Sequence, residues 1–361
     1  MASKFKFCYM AEELAYKPIK ISVLLMRCIV VLVALVTSFS FLGLYIPPQK
    51  TVFFQWVGVL LPALLCCNLV FLIIGLYKHS WYSICPLIAI LANFHYFTKI
   101  VQNNPERSEE ITDIRVATYN VREFKMVYNL SSMDQIAAYI DAQHINTLCL
   151  QEVPANCTLA ELKRTFGQFQ YFIMTGNNSG HSQLAILSRF PLDSVQTISF
   201  DERPNCAIFA DLSYKKHKIR IGNCHLQTTN LNQVKGDLIP AENGSANWLG
   251  ALNTLSRNFR LRGPQADHLK SVMDKSPFPM LMCGDFNNSP NSYSYHKIKG
   301  NLKDAFREAG NGYGYTYSNL MKLFRIDFVF FSGDVLQAIN YRTGNIDYSD
   351  HLPVLVDFKI N

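Results

Sequence analysis

The sequence predicts an α/β protein in which two mixed β-sheets pack face to face with helices outside, preceded by about three transmembrane helices. Three observations carry this. The first 101 residues hold three long uncharged apolar runs. From residue 111 onward, nine short apolar strand segments stand against three helical ones. Strand after strand in that region stops at an Asp, Glu, Asn or His.

The composition agrees with a membrane segment. Only 17% of the 361 residues are charged, against roughly 25% in soluble domains, and 49% are hydrophobic, which also excludes disorder. The formal net charge of +7 suggests nucleic-acid binding until it is divided along the chain. Residues 1–101 carry eight Lys/Arg against two acids, a net of +6. Residues 102–361 carry 26 against 25, a net of +1, so bulk charge says little about what the larger part binds.

The apolar runs come first in chain order. Cys28–Ile46, Val52–Tyr77 and Trp81–Thr98 contain 19, 26 and 18 residues without Asp, Glu, Lys or Arg. About 20 apolar residues cross a hydrocarbon core, so spans are expected at about 28–46, 52–77 and 81–98. Asn93 and His95 make the third the weakest, with an interfacial hairpin as its alternative. The first run exceeds the roughly 7–15 apolar residues of a signal peptide, and no small-residue cleavage pattern follows it before Pro47. Trp56, Tyr77, Trp81 and Tyr82 fall near the expected interfaces.

Flanking cations then set the orientation. With the N-terminus inside, Lys4, Lys6, Lys17, Lys20, Arg27 and Lys78 lie on the inner side, and Lys50, Lys99 and Arg107 on the outer. This predicts an integral protein of a plasma or inner membrane, with the lipid bilayer as its partner through the N-terminal spans. Three spans put the C-terminal domain on the non-cytoplasmic side. Residues 1–101 are thus read as an anchor, polar residues 102–110 as a linker, and 111–361 as a second domain, the one that carries the candidate site residues.

Within that domain, strands are expected at 113–119, 146–151, 183–188, 195–200, 206–213, 217–225, 279–285, 326–332 and 352–359. Helices are expected at 133–143, where Ile136, Ala137 and Ile140 repeat at helical spacing, at 158–166, and at about 265–274. Several strands follow each helix, so strict βαβ winding is not expected and two packed sheets are. The cysteines form neither a disulfide framework nor paired C-x-x-C metal spacing.

The polar strand ends carry the chemistry. Ile114–Asn120 ends at Asn120, Leu148–Glu152 at Glu152, and Ile219–His225 at His225. Met280–Asn287 ends in Asp285 and Asn287, Asp327 sits inside an apolar strand, and Asp350-His351 precedes the last one. Carboxylates on apolar strands are costly to bury unless paired or metal-bound. Oxygen-rich ligation suits Mg²⁺ or Mn²⁺ rather than zinc. Such a site suits phosphoric-ester hydrolysis, with a histidine activating water under the orientation of an acid.

These residues resemble a known family. Asn120, Gln151-Glu152, His225-Leu226, Gly284-Asp285-Phe286-Asn287, Arg325-Ile326-Asp327 and Ser349-Asp350-His351, in that order, resemble the endonuclease/exonuclease/phosphatase superfamily, nearest its deoxyribonuclease and neutral sphingomyelinase branch. The resemblance covers about residues 111–361 and implies a four-layer α/β/β/α sandwich. It implies that Glu152 is the principal metal ligand, helped by Asp350 and Asn120, with Mg²⁺ (or Mn²⁺) as cofactor. Asp285 and Asn287 would position water and phosphate, and His351 would be the general base oriented by Asp327. His225 would donate to the phosphate or protonate the leaving oxygen. Simpler readings stand beside these: a turn at Asp285–Pro290, a core histidine at 225, a buried structural pair at Asp327 and His351.

Substrate choice is expected in residues 228–262, read as a loop overhanging the site, with Trp248, Leu249 and the cations Arg257, Arg260 and Arg262. No extra apolar wedge is evident in the domain. The expected activity is that of a membrane-anchored, Mg²⁺-dependent phosphodiesterase, nuclease-like in type, acting on nucleic acid or a phospholipid headgroup. The alternatives are a phospholipase C-like enzyme, an inositol-phosphate phosphatase and a metal-free binding module. No protein partner is inferable.

Overall fold

The computed structural model describes residues 21–105, 107, 111–125, 132–176, 182–200, 205–229, 234, 237, 247–319 and 322–361. Lys4, Lys6, Lys17 and Lys20 of the orientation count lie outside the described residues. The described residues divide into two compact units, those of 21–39 with 62–92 and those of 40–61 with 93–361.

The first unit is helical. It holds α1 (Ile21–Ser38), the part of α2 (Phe53–Tyr77) beyond Pro62, and α3 (Ile84–Ala92). Three segments are long and apolar enough to cross a membrane: Ile21–Leu44, Phe53–Tyr77 and Trp81–Ile100. The first helix therefore begins before the expected Cys28 and takes in Arg27. Among the apolar side chains, Asn68 Nδ2 donates to Thr37 Oγ1 at 2.9 Å, a polar bond between helices that an apolar solvent would not compete for. The third segment is not one continuous helix. It is interrupted at Asn93, where α3 ends before α4 (Phe94–Ile100) starts.

The second unit is a four-layer sandwich. Its first sheet has strand order β13-β14-β2-β3-β5-β4 and its second β10-β12-β9-β8-β7-β6. The strands of the first are β2 (Ile114–Asn120), β3 (Thr147–Val153), β4 (Tyr171–Met174), β5 (Gln183–Ser188), β13 (Leu336–Thr343) and β14 (Val354–Ile360). Those of the second are β6 (Leu192–Ser199), β7 (Cys206–Tyr214), β8 (His217–His225), β9 (Met280–Asp285), β10 (Lys303–Asp304) and β12 (Asp327–Phe331). Both sheets are mixed, as the sequence implies: β2 runs parallel to β3 and β8 parallel to β9, while the other pairs are antiparallel. Each parallel pair is joined by a crossover helix, α5 (Met133–Ala142) in the first sheet and α7 (Trp248–Met273) in the second.

Side-chain alternation builds the layers. Along β9 and β12, Leu281, Cys283, Val329 and Phe331 face the space between the sheets, where Ile114, Val116 and Val356 meet them. The alternate residues Met280, Met282, Phe328 and Phe330 pack outward with Ala266 and Leu269 of α7 and with Tyr295 and Ile298 of α8 (Tyr293–Lys299). On the opposite face, Ala117, Leu148 and Leu150 pack against Ile136 and Ile140 of α5 and Leu162 of α6 (Leu159–Thr165). Strands covered on both faces read as continuous apolar runs, and this is why they were legible without alternation.

Residues 228–262 are not all loop, because α7 begins at Trp248 and runs 26 residues through Pro264. Proline in a helix interior costs a hydrogen bond. Here Arg262 Nε donates to the Gln227 carbonyl at 2.6 Å and Gln265 Oε1 accepts from the Gln227 N–H at 2.8 Å, tying down both sides of the interruption. Strands β4 and β13 and the helices Tyr293–Lys299 and α9 (Ala305–Ala309) were not anticipated, being short or polar. The unit also reaches back before residue 111. Strand β1 (Val101–Asn103) pairs with β11 (Asn311–Tyr313), and Arg325 Nη2 donates to the Lys99 carbonyl at 2.9 Å.

Residues 40–61 belong to this unit as well. Gln55 Nε2 donates to the Gly43 carbonyl at 2.8 Å, and Trp56 Nε1 donates to Ser256 Oγ on α7 at 3.0 Å. The first two turns of α2 are thereby part of the sandwich unit.

Candidate active site

The sheet register collects the polar strand ends. In the first sheet, Asn120 at the end of β2 lies beside Gln151, next to Glu152. In the second, His225 at the end of β8 lies beside Asp285 at the end of β9, and Asp285 is in turn opposite Asp327 at the start of β12. The C-terminal ends of both parallel pairs thus meet at one rim, the place where open α/β sheets hold ligands.

Backbone detail aims the side chains. The β3–β5 register shifts between Leu150 and Val153, and Glu152 at this bulge has φ +53°. A bulge re-aims a side chain, and a left-handed glutamate persists only where its surroundings hold it. At Gly284 φ is +141°, and a Cβ there would lie 2.1 Å from the Cys224 carbonyl oxygen, so only glycine fits between β8 and β9.

Hydrogen bonds lock the set. His351 Nδ1 approaches Asp327 Oδ2 at 3.0 Å, and the Asp327 N–H donates to Thr316 Oγ1 at 3.1 Å. The other ring nitrogen, Nε2, is 3.8 Å from Asp285 Oδ2. Asp285 accepts from the Asn287 N–H at 2.8 Å, from Asn287 Nδ2 at 3.1 Å and from Asn120 Nδ2 at 3.0 Å. Asn120 Nδ2 also donates to Glu152 Oε1 at 3.1 Å, while its Oδ1 accepts from the Arg122 N–H. Asn120 therefore turns its amide N–H toward the acids and braces them. Ser349 Oγ donates to the Asn120 carbonyl at 2.8 Å and accepts from the His351 N–H at 3.2 Å, tying the final loop to β2.

Among the described residues His225 Nε2 is buried without a hydrogen-bond partner, 3.5 Å from Glu152 Oε1 and 3.6 Å from Asp285 Oδ2. A buried unpaired nitrogen is expensive. Its placement between two carboxylates marks a spot where a ligand atom completes the arrangement.

Electrostatics at the rim are dominated by acids. Burial opposes charge on His351, but Asp327, Asp285 and Asp350 outweigh it and push its pKa up to about 10. Arg122 Nε lies 3.7 Å from Asp350 Oδ1. Asp285, Asp327 and His351 each offer a ligand atom within 4.8 Å of the others. With His351 Nδ1 occupied by Asp327, the remaining donors around Glu152, Asp285 and Asp350 are mostly carboxylate oxygens. This oxygen-rich donor set fits a hard divalent cation.

The rim opens into a cavity of about 600 Å³, a size typical of ligand sites. Glu152, Asn287, Asp350 and His351 line it. Of the three arginines singled out in the sequence, Arg262 is buried and lines the cavity, whereas Arg257 and Arg260 are exposed and outside its lining. Arg122, Thr229, Tyr317, Trp56 and Val59 also line it. Arg122 was readable only as a cation after Asn120, and the two α2 residues were hidden inside an expected membrane span.

A buried amide network links the sheets beneath the site. Gln151 Nε2 donates to Asn223 Oδ1 at 2.7 Å, and Asn223 Nδ2 donates to the Leu150 and Ala185 carbonyls. It holds β8 against β3 and so fixes the spacing between His225 and Glu152.

Residues 117–351 match the model of the Endonuclease/Exonuclease/phosphatase family. Residues 22–100 match a domain of unknown function, DUF8431. No curated protein matches the chain. Among solved structures, a functionally unknown conserved protein from Enterococcus faecalis V583 is similar, with TM-score 0.51 and 18% identity over 69% of this chain and 100% of that one. A humanized TDP2 from D. rerio gives TM-score 0.51 and 15% identity over 68% and 98%. An endonuclease/exonuclease/phosphatase from Beutenbergia cavernae gives TM-score 0.51 and 17% identity over 69% and 72%. At these identities the likeness speaks to the fold alone.

Proposed function

Because the chain belongs to the endonuclease/exonuclease/phosphatase family, we propose that it is a membrane-anchored, Mg²⁺-dependent phosphodiesterase of nuclease-like chemistry. The observation that carries this is the 3.0 Å contact of His351 Nδ1 with Asp327, with Nε2 directed toward Asp285 in the same cavity as Glu152 and Asp350.

Glu152 and Asp350 would hold the cation, with Asn120 bracing Glu152. Bound there, a divalent cation would supply Lewis-acid polarisation of a phosphoryl oxygen and would offset the charge of the surrounding carboxylates. His351 Nε2 takes a proton from water as the water oxygen bonds to phosphorus. Asp327 holds the tautomer and stabilises the imidazolium. Asp285 and Asn287 orient that water against the phosphate. One P–O ester bond breaks, and His225 Nε2–H gives the leaving oxygen its proton or a hydrogen bond.

The three apolar segments support an integral membrane protein. The excess of flanking cations on the N-terminal side favours the catalytic unit on the non-cytoplasmic face of a plasma or inner membrane. A topology reporter fused after Asn361 that is active only in the cytoplasm would reverse this orientation.

The test of the activity is cleavage of bis(p-nitrophenyl) phosphate by the full chain in detergent. Activity should require Mg²⁺ or Mn²⁺ and vanish in Glu152→Gln and His351→Ala. Near-normal rates in both variants would sink the mechanism. A phospholipid-directed form of the same chemistry is favoured by one observation, the apolar side of the cavity.

A further inference from the structure

Beyond the catalytic rim, the cavity has an apolar wall that hydrolysis does not use. Trp56 and Val59 come from the first turns of α2, and Leu255 and Phe259 face them from α7. Trp56 and Phe259 meet edge to face at 5.5 Å. On α7 these two residues are the inner half of a longer stripe. Trp248, Leu252, Leu255 and Phe259 recur at spacings of four, three and four, the period of one helical face. The stripe is graded: Trp248 is 65% exposed, Leu252 46%, Leu255 half-buried and Phe259 5%. Leu249, beside Trp248, is 74% exposed. The domain does carry an apolar wedge, legible only once α7 is seen to start at Trp248.

One turn beyond Phe259 the stripe ends on a cation. Arg262 is 1% exposed and lines the cavity, donating from Nε to the Gln227 carbonyl at 2.6 Å and from Nη2 to Thr229 Oγ1 at 2.7 Å. Among the described residues no carboxylate lies within ion-pair distance of it. A buried guanidinium without an acid is costly unless an anion joins it. Chemically, then, the stripe runs from exposed apolar surface, through a covered apolar groove, to a buried cation that lines the same cavity as His351.

We propose that this stripe and the facing turns of α2 bind the apolar part of a membrane lipid phosphoester, whose phosphate is delivered to Arg262 and the catalytic rim. The inference rests on the phosphodiesterase reading and names its substrate class. A lipid is favoured over nucleic acid for two reasons. Trp56 and Val59 lie in the first turns of a helix apolar enough to cross a membrane, and the end of such a helix is where interfacial tryptophan is favoured. The unit's cations outnumber its acids too little to draw a polyanion, and Arg257 and Arg260 are exposed and outside the cavity lining.

The test compares three substrates on the full chain with Mg²⁺: phosphatidylcholine–sphingomyelin vesicles with the protein reconstituted in them, a single-stranded DNA oligonucleotide, and bis(p-nitrophenyl) phosphate. The lipid should be cleaved. In Leu252→Asp and Trp248→Ser, the ratio of lipid to chromogenic rate should fall at least about tenfold per side chain, the scale of one lost apolar burial. Val195→Asp, an exposed apolar position on strand β6, should leave that ratio unchanged. Cleavage of the chromogenic diester without cleavage of lipid, or with DNA preferred, overturns the lipid assignment and leaves the phosphodiesterase reading intact. An unchanged ratio in both stripe variants also overturns it. Cleavage of none of the three overturns both.

Discussion

His351 Nδ1 lies 3.0 Å from Asp327 Oδ2, although the two residues are 24 positions apart and sit on different sides of the β12–β14 connection. Both are buried, and Thr316 fixes the Asp327 backbone from a third segment. The pair leaves the imidazole one orientation, with Nε2 toward the cavity.

Replacing Asp327 by Asn keeps the shape of this pair but removes the charge that holds the tautomer. We expect kcat on a chromogenic phosphodiester to fall about 10²–10⁴-fold, the usual contribution of positioned acid–base catalysis, with KM changing far less. A loss confined to KM would show that Asp327 serves binding instead.

Cation binding can be read without turnover. Mg²⁺ at roughly 100 times its Kd should stabilise the protein by about 2.7 kcal/mol, seen as a rise in Tm. Glu152→Gln should lose most of that rise. An undiminished rise in the variant would move the cation site away from Glu152.

The raised His351 pKa carries a sign for stability. In chelator, the folded-state pKa of about 10 exceeds the unfolded value near ~6.5. The stabilisation is therefore fully present below about pH 6.5 and is lost as pH rises through about 10. The Tm difference between the parent chain and His351→Gln should shrink across that window. A difference that widens with pH contradicts the ion-pair account.

Gly284→Ala should be among the most damaging single-methyl changes in the molecule. Its Cβ would collide with the Cys224 carbonyl at 2.1 Å in a left-handed backbone. Backbone strain and overpacking together cost about 3–5 kcal/mol, lowering Tm by roughly 10 °C. A near-parental Tm would mean that β8 and β9 can separate without penalty.

Much of this was legible from residues in order. Strands covered on both faces announce themselves as apolar runs, and a polar residue that ends such a run stands out against it, as Glu152 after Leu148–Leu150 and Asp285 after Met280–Cys283 do. What escaped were features whose identity depends on a distant partner. Strand β13 reads as polar, with Gln337, Asn340 and Arg342, and is a strand because β14 pairs with it. The helix through Pro264 is held by bonds to Gln227, 35 and 38 residues away. Asn223 looked like an ordinary strand residue, and only the opposite sheet shows that it spans the sandwich.

The sequence by itself determined the apolar segments, the two-sheet α/β class and the polar residues at strand ends, since each depends on local hydrophobicity and period. Only the tertiary structure decided that those ends meet at one rim, that Asn120 turns its N–H to the acids, and that the first turns of α2 form a wall of the cavity. The reason is physical. Burial and hydrogen-bond partnership are properties of pairs of residues, and for Trp56 and Phe259 the two members lie some two hundred residues apart, a separation no local pattern can encode.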